Sequence, residues 1–220
     1  MNKKKLVLPT AIIITIGIFV SILINLIPSD VAAAKNQIMP MILTEEQRDI
    51  VDLIRKDAQQ ILFFAYETDE KYNHLEVWGE IYQDGKLVET SEEKLNMDIN
   101  TRSDIEESYK GNIMIAMDKF SDPQWEWEVN INENGNKMHM RESFYAYPMS
   151  PGVGVSSSIV SPVNIENDEE IILHTIVFKR DGGISNLGNS QQFIEHPELL
   201  NNYNYAFLIK CKFIESSLIY

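Results

Sequence analysis

Four side chains near the middle of the 220-residue chain have types and spacing that could act together. Glu76, Trp78, Glu80 and Tyr82 occupy alternate positions of a segment in which Leu75, Val77, Gly79 and Ile81 fill the others. A period of two marks a strand with unlike faces, so the spacing predicts two carboxylates and two aromatic rings on one side. Such a face suits a sugar, whose ring stacks on an aromatic side chain and whose hydroxyls donate to carboxylates, and these four are the candidate ligand-binding residues. The competing expectation is that Trp78 packs under a helix or against a second sheet. A glycosidase places its two carboxylates across a groove, and a single strand does not show that separation. Glu126 and Glu128 form a similar pair, opposite a face of Trp125, Trp127, Val129 and Ile131 that reads as core.

The other reactive residue types lack a recognisable pattern. Gly154-Val155-Ser156-Ser157-Ser158 is rich in hydroxyls but has no Gly-x-Ser-x-Gly elbow, and it reads as a loop. Gly152-Val153-Gly154 has neither the third glycine nor the following helix of a phosphate loop. His74, His139, His174 and His196 show no metal-ligand spacing. The turn from Asn164 to Glu170 concentrates oxygen ligands without the steps of an EF-hand; a solvated turn is expected, with weak calcium binding as the alternative. Cys211, the single cysteine, shares a face with aromatics and reads as a small hydrophobe. No catalytic residue, metal or cofactor is expected.

These residues must be positioned by a domain whose setting follows from charge. The chain has 19 Lys plus Arg against 33 Asp plus Glu, a net of −14. Lys3, Lys4 and Lys5 precede Leu6–Ile27, a run of 22 residues without a charge. As a helix that run reaches about 33 Å, enough for a hydrocarbon core of about 30 Å. The lysines hold the N-terminus in the cytoplasm, so the remainder faces outward. Cleavage after Ala33 or Ala34 is the alternative, although the run is longer than a usual signal peptide core. From Lys35 onward 16 basic and 32 acidic residues give −16, which argues against a nucleic-acid partner.

The expected layout is a basic tail (1–5), a membrane helix or signal anchor (6–28), a juxtamembrane tether (29–43) and an extracytoplasmic domain (44–220). In that domain Thr44 and Gln47 form a capping box for an amphipathic helix over 44–60. About eight strands follow, with hairpins at Asp84-Gly85 and Asn134-Gly135, and a long connection over 148–164. Glu170–Lys179 reads as buried on both faces, and Gln192–Leu200 as a helical turn broken by Pro197. The fold class is mainly β, an antiparallel sandwich with one N-terminal helix.

The layout resembles, in general terms, small envelope proteins of Gram-positive bacteria. The functional expectation is a cell-membrane, single-pass binding module, with the bilayer as one partner and a membrane protein or envelope polymer as another. An extracytoplasmic hydrolase of glycans or peptides, or a regulatory ectodomain of a membrane complex, are the alternatives.

Overall fold

The computed structural model describes residues 34–55, 59–91, 94–99, 108–118, 124–145, 153–180, 182–184 and 187–215. The expected membrane segment Leu6–Ile27, its basic tail and residues 28–33 lie outside the described residues. No helix among the described residues is long and apolar enough to cross a membrane.

Among the described residues the order is β1 (Gln37–Pro40), α1 (Glu45–Ile54), β2 (Gln60–Thr68), β3 (Tyr72–Gln83), β4 (Lys86–Thr90), β5 (Leu95–Asp98) and β6 (Tyr109–Met117). There follow β7 (Gln124–Glu133), β8 (Asn136–Tyr145), β9 (Val153–Ser158), β10 (Val163–Asn164), β11 (Glu170–Lys179), the short α2 (Gln192–Glu195), a 3-10 helix (Pro197–Asn202) and β12 (Tyr205–Glu215). The first sheet runs β10-β1-β2-β6-β7-β8; the second runs β4-β3-β12-β11-β9, with β5 also paired to β3. All named pairings are antiparallel.

The alternating strands bury one face each in a shared core between the sheets. Phe64, Ile113, Ile115, Trp127, Val129 and Ile131 come from the first sheet, and Leu75, Val77, Phe207, Ile209, Cys211 and Phe213 from the second. Phe207 meets Trp127 and Phe144 edge-on, with ring centroids 6.1 and 5.3 Å away, and Phe213 meets Tyr66 at 5.2 Å. Each fully buried large apolar side chain contributes about 1.5–3 kcal/mol, so this seam holds the sheets together. Both hairpin dipeptides turn as expected, with positive φ at Asp84 and Gly85 (48° and 75°) and at Asn134 and Gly135 (48° and 85°).

Two outer layers complete the molecule. On the first sheet α1 sets Val51 against Phe63, Met114 and Ala116. Its capping box is present: the Gln47 amide N–H donates to Thr44 Oγ1 at 3.2 Å, and the Thr44 N–H donates to Gln47 Oε1 at 2.8 Å. On the second sheet Phe193 and Leu200 cover Ile172, Val177 and Leu208. A bulge in β11 between Ile172 and His174 anchors this cover. There Ser190 Oγ and Gln191 Nε2 donate to the Ile172 carbonyl at 3.1 and 2.6 Å.

Four expectations are corrected. The helix ends at Ile54 rather than 60, because β2 pairs with β6 from Gln60↔Met117 to Thr68↔Tyr109 and takes Ile61 and Leu62 into a sheet. The 29–43 tether contains β1, which pairs on both sides, with β2 and β10. The 148–164 connection contains β9 and β10, so the serine-rich patch is a strand held by β11 rather than a loop. The described strands therefore number twelve, not eight. In each case long-range pairing overrides local composition.

Candidate functional site

Glu76, Trp78, Glu80 and Tyr82 do share one face of β3, the face turned away from the inter-sheet core, as the buried alternates Leu75 and Val77 require. β12 lies beside them with Lys210 opposite Trp78 and Lys212 opposite Glu76. The result is a closed network. Trp78 Nε1 and the Tyr82 hydroxyl donate to Glu80 at 2.9 and 2.7 Å, and Lys210 Nζ bridges Glu80 and Glu170 at 2.8 Å each. Lys94 reaches Glu76 at 3.0 Å, and Lys212 pairs with Asp168 at 2.7 Å.

The electrostatics are those of a saturated site. Burial pushes the Glu80 carboxyl up, but Lys210, Trp78 and Tyr82 outweigh it and hold the group below the usual carboxylate range. Lys210 resists burial in the same way, held protonated by Glu170 and Glu80. Trp78 is 2% exposed, and Lys94 Nζ sits 4.3 Å from its ring centroid. The indole is thus buried as the competing expectation held, yet under neither α1 nor the first sheet. Trp78 leaves no open ring face for a sugar, and the half-buried Tyr82 commits its hydroxyl to Glu80. Lys94, Lys210, Lys212 and Glu170, the partners that close the network, had no local signal: they lie on other elements and are brought in by strand register.

The remaining candidates are similarly occupied. Glu126 pairs with Arg141, and Glu128 with His139 at 2.9 Å. In the 164–170 turn Asp168 and Glu170 face lysines, while Asn164 and Asn167 accept from Gln37 Nε2 and the Glu215 N–H. Among the described residues no group of three or more His, Cys, Asp or Glu side chains is arranged to hold a metal ion. Cys211 is fully buried, which pushes its thiol up and away from reactivity.

An open feature lies elsewhere. A cleft of about 640 Å³ opens between the sheets, where β2 begins and β6 and β11 end. Met117, Val155, Ile176 and Phe178 supply its apolar lining, and Arg55, Gln59, Gln60, Asp118 and Ser156 its polar lining. Deeper along the same face of β11, His174 is wholly buried with Nδ1 2.7 Å from Ser158 Oγ, and burial pushes its pKa down to about 4. The described chain enters at the other end of the first sheet: Gln37 pairs with Glu67, and Asn36 holds Asp69 at 2.9 Å. Seven residues of β2, about 23 Å of strand, separate Glu67 from Gln60 at the cleft.

No curated protein and no solved structure matches this chain. A family model described as the YgaN domain matches residues 37–213, from the first residue of β1 into β12. Spanning most of the chain and both sheets, that match places the protein in the YgaN domain family.

Proposed function

We propose that the chain is a single-pass, membrane-anchored extracytoplasmic binding module of the bacterial envelope, which receives its ligand in the inter-sheet cleft. The cleft carries the reading: at about 640 Å³ it falls within the range of ligand sites, about 300–1,000 Å³, and its walls combine apolar side chains with the polar groups of Arg55, Gln59, Gln60, Asp118 and Ser156. The uncharged run Leu6–Ile27 and the three lysines before it support the anchor and its orientation. The hydrolase alternative draws no support from its candidate acids. Glu76 and Glu80 lie on the outer face of one sheet, Glu126 and Glu128 on that of the other, and each is paired with a cation or histidine.

Thiol labelling of the full chain tests the reading. Cys211 is buried and gives a silent background, so Ser156→Cys places one reactive thiol in the cleft. A membrane-impermeant maleimide should label this variant on intact cells, and Gln60→Trp in the same chain should slow labelling by filling the cleft. Labelling only after lysis would overturn the proposal.

A further inference from the structure

We infer that the cleft takes an extended, net-basic polypeptide by strand addition to the free edge of β9, on the side of the domain facing away from the bilayer. The inference rests on the binding-module reading and names its partner. Gly154, Val155 and Ser156 are consecutive, and all three line the cleft. Successive side chains of a strand point to opposite faces, and Val155 packs into the outer-face cluster while Ser156 sits beside Ile176. A cleft reaching all three therefore runs along the strand's edge. β9 is the last strand of its sheet, and among the described residues nothing pairs with its second edge. Alternate N–H and C=O groups of an edge strand point away from its one neighbour.

Other edges in this molecule are blunted. β8 carries Lys137, His139, Arg141 and Glu142; β4 carries Lys86 and Glu89; β5 is four residues long with Asp98; β10 has two residues. Natural sheets use short length and charge to deter pairing, and β9, six residues without a charge, uses neither. The start of a second edge reaches the same space at Gln60. β1 follows β2 only as far as Pro40↔Phe64, with Met41 N–H donating to the Phe63 carbonyl at 2.9 Å, so among the described residues Gln60–Leu62 are paired by β6 alone. The β9 edge, unpaired among the described residues and set beside Met117, Ile176 and Phe178, suits a peptide, whose backbone offers donors and acceptors in register; acyl chains and sugars do not.

Charge and tether length choose the partner. A domain carrying −16 attracts a basic segment and is repelled by anionic headgroups. Six residues, 28–33, join the apolar run to Ala34, and the chain enters the first sheet at the end remote from the cleft.

The test selects peptides from a random ten-residue library on the full chain in detergent, then N-methylates alternate amides of the best binder. Loss of two or three backbone hydrogen bonds should weaken binding about tenfold or more when one alternate set is methylated, and barely at all for the other. Ser156→Lys should abolish selection while the thermal midpoint is kept, and Met138→Lys on the β8 edge should change nothing. Equal tolerance of both methylated sets, or a library yielding no peptide that separates wild type from Ser156→Lys, would overturn strand addition. If binding is indifferent to methylation but lost in Gln60→Trp, the cleft reading survives and only the strand mode fails. Capture of anionic phospholipid vesicles by the full chain held in neutral phosphatidylcholine nanodiscs, in place of peptides, would overturn both the partner class and the orientation.

Discussion

Replacing His174 with glutamine should remove most of one acid-sensitive step in the stability of this domain. The imidazole is 0% exposed, its Nδ1 lies 2.7 Å from Ser158 Oγ, and its Nε2 has no hydrogen-bond partner among the described residues. Burial alone pushes its pKa from 6.5 to about 4. The unfolded chain therefore binds a proton near pH 6.5 that the folded chain refuses until about pH 4, and stability falls as pH drops through that window. A difference of about 2.5 units corresponds to about 3 kcal/mol below pH 4, of which about 2 kcal/mol is lost between pH 7 and pH 5. Urea unfolding of the full chain at both pH values, followed by tryptophan fluorescence, measures it; with a slope of about 1–3 kcal/mol/M the wild-type midpoint should fall by roughly 1 M more than that of His174→Gln. Identical pH dependence in the two would refute the assignment of a neutral, buried imidazole beneath the cleft.

Removing both partners of the Glu80–Lys210 pair should cost less than the two single removals together. Lys210→Met leaves the Glu80 carboxylate buried against Trp78 and Tyr82 and should cost about 3 kcal/mol, while Glu80→Gln/Lys210→Met should cost less than the sum of its parts; a double-mutant cycle by urea unfolding checks this. Gly111→Ala should destabilise by about 1–3 kcal/mol, because the added methyl collides with the Tyr66 ring that crosses Gly111, and Tyr66→Phe should relieve part of the loss by freeing the hydroxyl's space. Thermal unfolding of the three variants gives the comparison.

The parts of this fold that sequence makes legible are those coded by neighbours. Asp84-Gly85 and Asn134-Gly135 specify their turns through two adjacent residues, Thr44 and Gln47 their cap through four, and the alternation of Glu76 to Tyr82 its two faces. Elements that exist through distant pairing are not legible in this way. β1 is four residues ending in Pro40, and β9 is Val-Gly-Val-Ser-Ser-Ser within a stretch rich in proline, glycine and serine; each is a strand because β2 or β11 provides a ladder. The face of Trp78 was readable, but its closure was not. Lys94, Lys210 and Lys212 come from other parts of the chain and close the expected sugar platform with ion pairs, of which Lys210–Glu80 is buried. The cleft itself joins α1's end, β2, β6, β9 and β11, and no local pattern in any of them announces it.

The orientation of the cleft can be read directly from the depth of two fluorophores. Asn164→Cys lies at the end where the described chain enters, and Ser156→Cys lies in the cleft; each can be labelled in the full chain and reconstituted into vesicles carrying a headgroup-bound quencher. On the proposed anchoring through Leu6–Ile27, the label at Asn164 should be quenched strongly and the label at Ser156 weakly. Equal quenching, the reverse order, or no quenching of either would contradict a membrane-anchored domain that presents its cleft away from the bilayer.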